Sequence, residues 1–233
     1  MHKDAFEEFL GTLNLKAYRD TYRPIKLVEM DLPKDMQALE ALYITYWDQR
    51  RFIGYEAFYQ EYRDKYRTAI EAFRNKITMC EDCYYRGLPA RIYRTWASII
   101  TQIHAGYVAE SVFGQETVNM SVELDHKGAD FQVIYKGQVL NYQVKKKTFS
   151  REVRTAKVSK NPIAGRFIDI GYEVPTEDYF VNPLRQNGEY KLPYLRFINN
   201  KELKRLPNGF VVFTPYTFET VKTEIDKDLQ RVV

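Results

Sequence analysis

Apolar residues in the first half of the chain recur at the three- and four-residue spacing of amphipathic helices. The clearest example is 54–77, where aromatic and aliphatic residues follow one another at steps of four and three. A later run carries Pro89 in its predicted first turn and Gly114 at its predicted end. The spacing predicts helices over 4–13, 35–49, 54–77 and 87–115.

The second half carries short apolar runs separated by prolines, a pattern typical of strands. Helices followed by strands predict an α/β protein of the mixed α+β kind, in which helices flank a mixed β-sheet. We expect a helical N-terminal region at 1–85 and the sheet-bearing core at 86–233, both within one structural domain. The predicted strands are 117–124, 130–135, 138–146, 166–174, 194–198 and 209–214, before a closing helix over 218–232.

The composition suits one sizeable domain with a real core. The chain has 233 residues, of which 45% are hydrophobic and 28% are charged. Its first ten residues are acidic and interrupted by charges, unlike a signal peptide. No run approaches the roughly 18 apolar residues that a membrane span needs. We therefore expect a cytoplasmic protein with no membrane partner.

Cys80 and Cys83 form a C-x-x-C motif. Such a motif supplies half of many zinc sites. The three histidines are scattered along the chain, however, and a structural zinc site needs four ligands close together. We therefore expect free thiols here and not a zinc site.

The segment 127–147, KGADFQVIYKGQVLNYQVKKK, predicts a hairpin with a two-residue turn that ends at Gly137. In that register Asp130 lies opposite Gln143. Lys145 lies two residues further along the same strand and therefore on the same face. One face of the hairpin is thus predicted to be apolar, while the other gathers an acid, an amide and an ammonium group.

This group of side chains suits the hydrolysis of phosphodiester bonds. The carboxylate of Asp130 and the main-chain carbonyl of Val144 are oxygen ligands of the kind that Mg²⁺ prefers, and the cation would offset charge on the phosphate. Lys145 can orient the attacking water or stabilise the phosphate. The amide of Gln143 can bind or orient, but it brings no charge. We therefore predict Asp130, Gln143 and Lys145 as catalytic residues and Mg²⁺ as the cofactor.

A further carboxylate is expected from the helix that precedes the sheet. Its apolar stripe leads to Glu110, which lies within about 20° of the stripe around the helix axis. A buried carboxylate is costly unless it meets a cation, a metal or a hydrogen-bond donor, so we predict Glu110 as a metal ligand. The alternative is a carboxylate at the helix end that reaches water or a salt bridge. His104 lies off the stripe and is predicted at the surface.

A strongly basic segment follows the hairpin. From Lys145 to Arg166 there are eight basic residues and one acid, an excess of seven positive charges where the whole chain has four. Such a block suggests a phosphate backbone as partner, although a solvated basic loop would look the same. The predicted DNA-binding residues are Lys146, Lys147, Arg151, Arg154, Lys157 and Lys160.

An aspartate that faces Gln-x-Lys across a hairpin follows the D…(E/Q)-x-K pattern of the PD-(D/E)XK nucleases. The pattern is short and also occurs by chance in lysine-rich chains. Three longer segments add to it, since 9–33, 81–121 and 124–146 closely resemble the TaqI-type restriction endonucleases.

The resemblance implies a type II restriction endonuclease with a PD-(D/E)XK nuclease core, acting on double-stranded DNA at the palindrome TCGA with Mg²⁺. It also implies a homodimer whose two-fold axis matches that of the site, and a companion DNA methyltransferase that protects host DNA. The family places two important aspartates five residues apart, which matches Asp125 and Asp130, and a lysine in the QVKK segment. Asp125 is thus expected to be a second metal ligand or a structural partner. Gln143 departs from the commonest nuclease pattern and leaves the number of metal ions open.

Two other functions fit the same residues. A repair or junction-resolving nuclease of the same superfamily would not cleave strictly at one palindrome. A non-catalytic DNA-binding protein would bind without metal, in a salt-sensitive way, and would not cut. The residues considered for reading base edges are Arg151, Arg154, Arg185, Gln186, Asn187 and Arg196.

Overall fold

The computed structural model describes residues 2–23, 32–77, 79–147 and 163–230. Apart from the first three residues, the chain divides into two compact units, 4–103 and 104–233, and the division falls inside its longest helix. The predicted mixed α/β class with a helical N-terminal region is confirmed. No helix of the described residues is long and apolar enough to cross a membrane.

The described part of the unit 4–103 contains helices and turns but no strand. Aromatic side chains fill its core. The indole nitrogen of Trp96 donates to the hydroxyl of Tyr46 (2.8 Å), which donates in turn to the carbonyl of Ile53 (2.6 Å), so these buried polar groups are satisfied. The helices are α1 (His2–Thr12), α2 (Leu15–Thr21), α3 (Ala38–Leu42), α4 (Tyr55–Lys65), α5 (Arg67–Lys76) and α6 (Glu81–Phe113), with a 3₁₀ turn at Lys34–Met36 and a π-helical turn at Tyr43–Asp48.

The prediction over 35–49 becomes a 3₁₀ turn, the helix α3 and a π-helical turn, and two of the longer predicted helices differ from the structure in their bounds. The helix expected over 54–77 breaks at Tyr66 into α4 and α5. Helix α6 begins at Glu81, so Pro89 lies inside it and not in its first turn. Glu81 and Asp82 supply negative charge to the first turn, where the helix dipole favours it. The aromatic periodicity runs through α4 and α5 alike, and it therefore gave no sign of the break.

Cys80 and Cys83 are joined by a disulfide at the start of α6, so the prediction of free thiols is wrong. The chain turns into the helix between them, which brings their Cα atoms to 5.3 Å. That separation lies within the range of disulfides.

A four-stranded sheet organises the unit 104–233. Its order is β1-β2-β3-β4; the first three strands are antiparallel, and β4 runs parallel to β3. A separate antiparallel pair, β5 and β6, forms a second sheet. The strands are β1 (Val118–Asn119), β2 (Phe131–Tyr135), β3 (Gln138–Lys147), β4 (Arg166–Glu173), β5 (Leu203–Arg205) and β6 (Val211–Phe213). The remaining helices are α7 (Val122–His126), α8 (Glu177–Val181), α9 (Leu192–Ile198) and α10 (Tyr216–Gln230).

Two predicted strands are wholly or partly helical. Strand β1 covers only two residues of 117–124, because the hydroxyl of Ser121 caps α7 by accepting from the amide of Leu124 (3.2 Å). The segment 194–198 lies in α9, where Pro193 occupies the first turn, a position that suits a helix start.

The apolar face of the β2–β3 hairpin packs against α10. The rings of Phe131 and Tyr142 stack with centroids 5.0 Å apart. Phe218 of α10 meets the edges of both rings, at 6.1 Å from Phe131 and 5.3 Å from Tyr142. All three side chains are fully buried. The face of the hairpin that was predicted to be apolar is therefore the face that contacts α10.

The junction of β3 with β4 depends on a glycine. Gly165 has a φ of +114°, and a Cβ there would lie 2.5 Å from the carbonyl oxygen of Val139. Beside it, the buried amide of Asn141 accepts from Gln132 (2.8 Å) and donates to the carbonyl of Ala164 (3.0 Å). The close approach and the amide contacts together hold the start of β4 against β3.

We expect Gly165→Ala to lower the free energy of unfolding by about 3 kcal/mol or more, since the positive φ costs roughly 1–2 kcal/mol and the clash with Val139 adds to it. Gly188→Ala is the matched control, because Gly188 also has a positive φ (+82°) but nothing within 4 Å of an added Cβ. Urea denaturation of both variants measures the difference. Equal losses would mean that close packing at Gly165 contributes nothing.

Candidate active site

The predicted hairpin register is confirmed. Tyr135 pairs with Gln138 next to the turn, and Phe131 pairs with Tyr142 at the far end. The turn residue Gly137 has a φ of +78°, as a two-residue hairpin turn requires. The polar face named in the sequence analysis is therefore formed, with Gln143 half-buried and Lys145 exposed.

At Asp130 the ladder differs from the prediction. The amide of Asp130 donates to the carbonyl of Tyr142 (2.9 Å), and its carboxylate accepts from the amide of Val144 (2.6 Å). The regular pairing stops at Phe131, so Asp130 contacts the main chain on both sides of Gln143 and does not pair with Gln143 itself. Asp130 as a whole is only 7% exposed. Its position is thus fixed by the backbone of β3, one residue before Lys145.

A glycine turn lies between Asp125 and Asp130, and the charge of Asp125 acts on Asp130. Helix α7 ends in a Schellman motif, in which Ala129 donates to the carbonyl of Leu124 (3.0 Å) and Gly128 donates to that of Asp125 (2.9 Å). Gly128 has the positive φ (+89°) that this motif needs. The chain therefore reverses between the two aspartates that stand five residues apart, and the glycine noted before Asp130 in the sequence has a defined role.

The environment of Asp130 disfavours its charged form. Burial is the main cause and raises the pKa of the Asp130 carboxyl from 3.8 to about 7; the nearby charge of Asp125 acts in the same direction, and the hydrogen bond from Val144 acts against them. A carboxyl with such a raised pKa is typical of functional sites. A bound cation would favour the ionised form that the site otherwise disfavours.

Lys145 has a partner that the sequence analysis missed. Its ammonium nitrogen donates to the carboxylate of Asp169 in β4 at 2.5 Å. The alternation of residues in predicted strand 166–174 puts Asp169 on one face with Phe167, but no sequence signal gives the register of β4 against β3. Asp169 is the register partner of Gln143.

The predicted position of Glu110 on the buried face of α6 is confirmed, since it is 9% exposed. His104, predicted at the surface, is 1% exposed, so that prediction is wrong. All residues from 103 to 110 of α6 are buried, so the helix is covered around its whole circumference there. A single apolar stripe therefore underestimates the burial of His104. Within the described residues, no three His, Cys, Asp or Glu side chains lie close enough to hold a metal ion between them.

The predicted DNA-contacting residues lie largely beyond the described part of the chain. Lys146 and Lys147 are the last residues of β3. Arg151, Arg154, Lys157 and Lys160 all lie outside the described residues. Of the residues considered for base reading, Arg185, Gln186 and Asn187 form an exposed turn between the bridged pair Leu184 and Tyr190, and Arg196 is exposed on α9.

Comparison with known proteins identifies the family. A family model described as TaqI restriction endonuclease matches residues 3–225. The chain belongs to the TaqI restriction endonuclease family. One relative is the type II restriction enzyme TaqI of Thermus aquaticus, 31% identical over 235 residues, which cover 97% of this chain and 88% of the relative. Another is the type II restriction enzyme TthHB8I of Thermus thermophilus, 32% identical over 218 residues, which cover 90% and 82%. No solved structure matches the chain.

Membership of the TaqI family confirms the resemblance and the enzyme class. The relatives are type II restriction enzymes, which are site-specific deoxyribonucleases, and this chain is an enzyme of that class. It is accordingly a hydrolase of a restriction system. The hairpin that carries Asp130 and Lys145 lies inside the matched range, as does the partner strand β4.

We expect the metal-free enzyme to lose stability as the pH rises from about 4 to about 7. In the folded protein Asp130 keeps its proton up to about pH 7, whereas in the unfolded chain it loses the proton near pH 3.8. The contribution of Asp130 to stability is therefore complete below about pH 4 and is lost above about pH 7. The loss is on the order of 4 kcal/mol. Asp130→Asn has no charge to bury, and it should therefore be more stable than the wild type at pH 8.

Urea denaturation at pH 5 and pH 8, in EDTA, tests this expectation. Asp228→Asn, which changes an exposed aspartate of α10, is the matched control and should keep the wild-type pH dependence. If Asp130→Asn also keeps it, burial of the Asp130 charge is not the cause.

Proposed function

We propose that this enzyme cuts duplex DNA at TCGA by Mg²⁺-dependent hydrolysis, with the active site at the end of the β2–β3 hairpin. The observation that supports the site most strongly is the convergence of two aspartates there. Asp130 is buried against the main chain of β3, and the charge of Asp125 acts on it. Lys145 follows in the same strand, one residue after the amide that binds Asp130. The placement of Asp130 and Lys145 fits the PD-(D/E)XK arrangement that the sequence predicts.

The residues present fit a magnesium ion. Mg²⁺ in proteins is held by one or two carboxylates and keeps several waters, so it does not need a cage of three acidic side chains. Asp125 and Asp130 supply two carboxylates, and the raised pKa of Asp130 is of the kind that a cation would lower again. We assign these two as ligands; Glu110 of α6, the third ligand that the sequence predicts, does not form a three-carboxylate group with them in the described residues. When bound, Mg²⁺ would offset the charge of the phosphate and activate a water.

Lys145 and Gln143 act on the phosphate and the water in this proposal. The ammonium group of Lys145 stabilises negative charge as it builds up on the phosphate, and it orients the attacking water. The amide of Gln143 orients without adding charge. Both side chains lie on the polar face of the hairpin, away from the core that Phe131 and Tyr142 form with α10.

The basic segment after β3 binds the DNA backbone in this proposal. Lys146, Lys147 and the basic residues 151–160 would neutralise phosphates, which makes DNA binding sensitive to salt. TCGA is a palindrome, so each of two identical subunits can cut one strand, and we propose a homodimer whose two-fold axis lies on that of the site. A DNA methyltransferase that modifies TCGA would be the functional partner in the cytoplasm, since host DNA needs protection from such an enzyme.

A digest of unmethylated duplex DNA of known sequence tests the function. Discrete fragments should form with Mg²⁺ and not with EDTA, and sequenced ends should all map to TCGA. A duplex that differs only by lacking TCGA is the control and should stay intact. Fragments that end at another short palindrome would contradict the TCGA assignment alone, while a smear or structure-dependent cuts would contradict the restriction function.

Asp130→Ala and Lys145→Ala should each lower the cleavage rate by about 100-fold or more, since each removes a charge that acts on the reacting groups. Affinity for a TCGA duplex should change little, because the proposed backbone contacts lie elsewhere. Cleavage under single-turnover conditions and binding by fluorescence anisotropy measure the two effects. Lys227→Ala and Asp228→Asn, both exposed on α10, are controls and should cut normally. Normal cleavage by either site variant would rule out its proposed role.

A further inference from the structure

We infer that Asp169 is the residue that positions Lys145 for the cleavage step, an inference that rests on the proposed role of Lys145. The direct observation is the ion pair between the two side chains, 2.5 Å from ammonium nitrogen to carboxylate oxygen. Asp169 belongs to a strand that comes more than twenty residues later in the sequence, and no motif of the chain includes it.

The register of the sheet places Asp169 beside the catalytic strand. Strand β4 pairs with β3, and paired residues of adjacent strands point to the same face of the sheet. Asp169 is the partner of Gln143, and Gly171 is the partner of Lys145. Gly171 has no side chain beside Lys145. The β4 side chain that contacts the ammonium group therefore comes from Asp169, two residues earlier in β4 and on the same face.

Position 143, which is level with Asp169 in the sheet, carries a glutamine in this chain. The commonest nuclease pattern has an acid there, two residues before the lysine, on the same face of the strand. In this chain the acid stands on the neighbouring strand, level with Gln143. The carboxylate of Asp169 thus lies near Lys145, and it accepts a hydrogen bond from the ammonium group of that lysine. The carboxylate of Asp130 serves a different purpose, since it binds the main-chain amide of Val144.

A lysine needs such a partner if its charge is to act at a defined point. Its ammonium group sits on a flexible four-carbon stem with many rotamers, and about half of the Lys145 side chain is exposed to solvent (45%). An ion pair this exposed adds little to the stability of the fold. Its effect is expected in the reaction instead, because a small displacement of a catalytic group lowers the rate strongly. Asp169 therefore acts as a positioning residue, through its contact with Lys145.

Asp169→Asn tests the inference, because it keeps the shape of the side chain and removes the charge. Single-turnover cleavage at saturating enzyme should slow by about 10- to 100-fold, the usual loss when a supporting partner of a site residue is removed. Affinity for a TCGA duplex in EDTA should stay within about twofold, and the Tm should stay within a few degrees. Glu224→Gln is the matched control. It removes the exposed ion pair of Arg166 (3.4 Å) on the same strand and should leave the rate unchanged.

A double-mutant cycle separates positioning from an independent role. In a Lys145→Ala background, Asp169→Asn should lower the residual rate by less than about twofold, since the group that it positions is gone. A further tenfold loss would overturn the inference, as would cleavage by Asp169→Asn at the wild-type rate or above. Equal losses of rate, affinity and Tm would overturn it as well, because they indicate a structural role.

Failure of the inference can be told apart from failure of the proposed function. If Lys145→Ala cuts normally, the proposed role of Lys145 is wrong, and the inference about Asp169 falls with it. If Lys145→Ala is inactive while Asp169→Asn cuts normally, the proposed function stands and only the positioning role is wrong.

Discussion

The buried amide of Asn141 connects three consecutive strands of the sheet. It accepts from Gln132 on β2 and donates to the carbonyl of Ala164 at the entry to β4. The side chain is fully buried, so the loss of either contact would leave a polar group unsatisfied in the interior. The position of β4, and with it the approach of Asp169 to Lys145, therefore depends on the polar contacts of Asn141. These contacts lie on the same face of the hairpin as the candidate site.

The candidate site is built from main-chain contacts more than from side-chain pairs. The amide of Val144 binds Asp130, and a Schellman turn at Gly128 returns Asp125 to its neighbourhood. In the folded protein, the hydrogen bonds of a strand or a helix end hold its main-chain groups in place, whereas a long side chain keeps many rotamers. Main-chain groups therefore hold carboxylates accurately. Lys145 is the exception, because its long side chain needs the separate contact with Asp169.

The function proposed for Asp130 and the stability of the fold oppose each other. Its carboxyl is buried near a second aspartate, an arrangement that destabilises the charged form in the folded protein. The same arrangement suits a divalent cation, whose charge favours both carboxylates at once. The rest of the unit compensates through apolar packing, in which Phe218 of α10 closes over Phe131 and Tyr142 directly behind the strand that binds Asp130.

Sequence patterns predicted those features that interactions between residues close in sequence decide. The β2–β3 register followed from a turn at Gly137, because two strands joined by two residues can pair in few ways. Helical periodicity placed Glu110 on a buried face. The family likeness was also in the sequence, in segments long enough to be specific, and it is confirmed over residues 3–225. The parts of the site that lie within one hairpin could thus be named in advance.

Tertiary structure decided the rest, for reasons that a local pattern does not contain. The side chain that meets Lys145 comes from a parallel strand, and the register of such a strand is set by packing at Gly165 and by the contacts of Asn141. His104 is buried because neighbours cover more than one side of its helix. The chain by itself determined the hairpin, the approximate course of the long helices of the first half, and the family. The meeting of Asp169 with Lys145 required the folded sheet, since the two residues are adjacent only across strands that are distant in sequence.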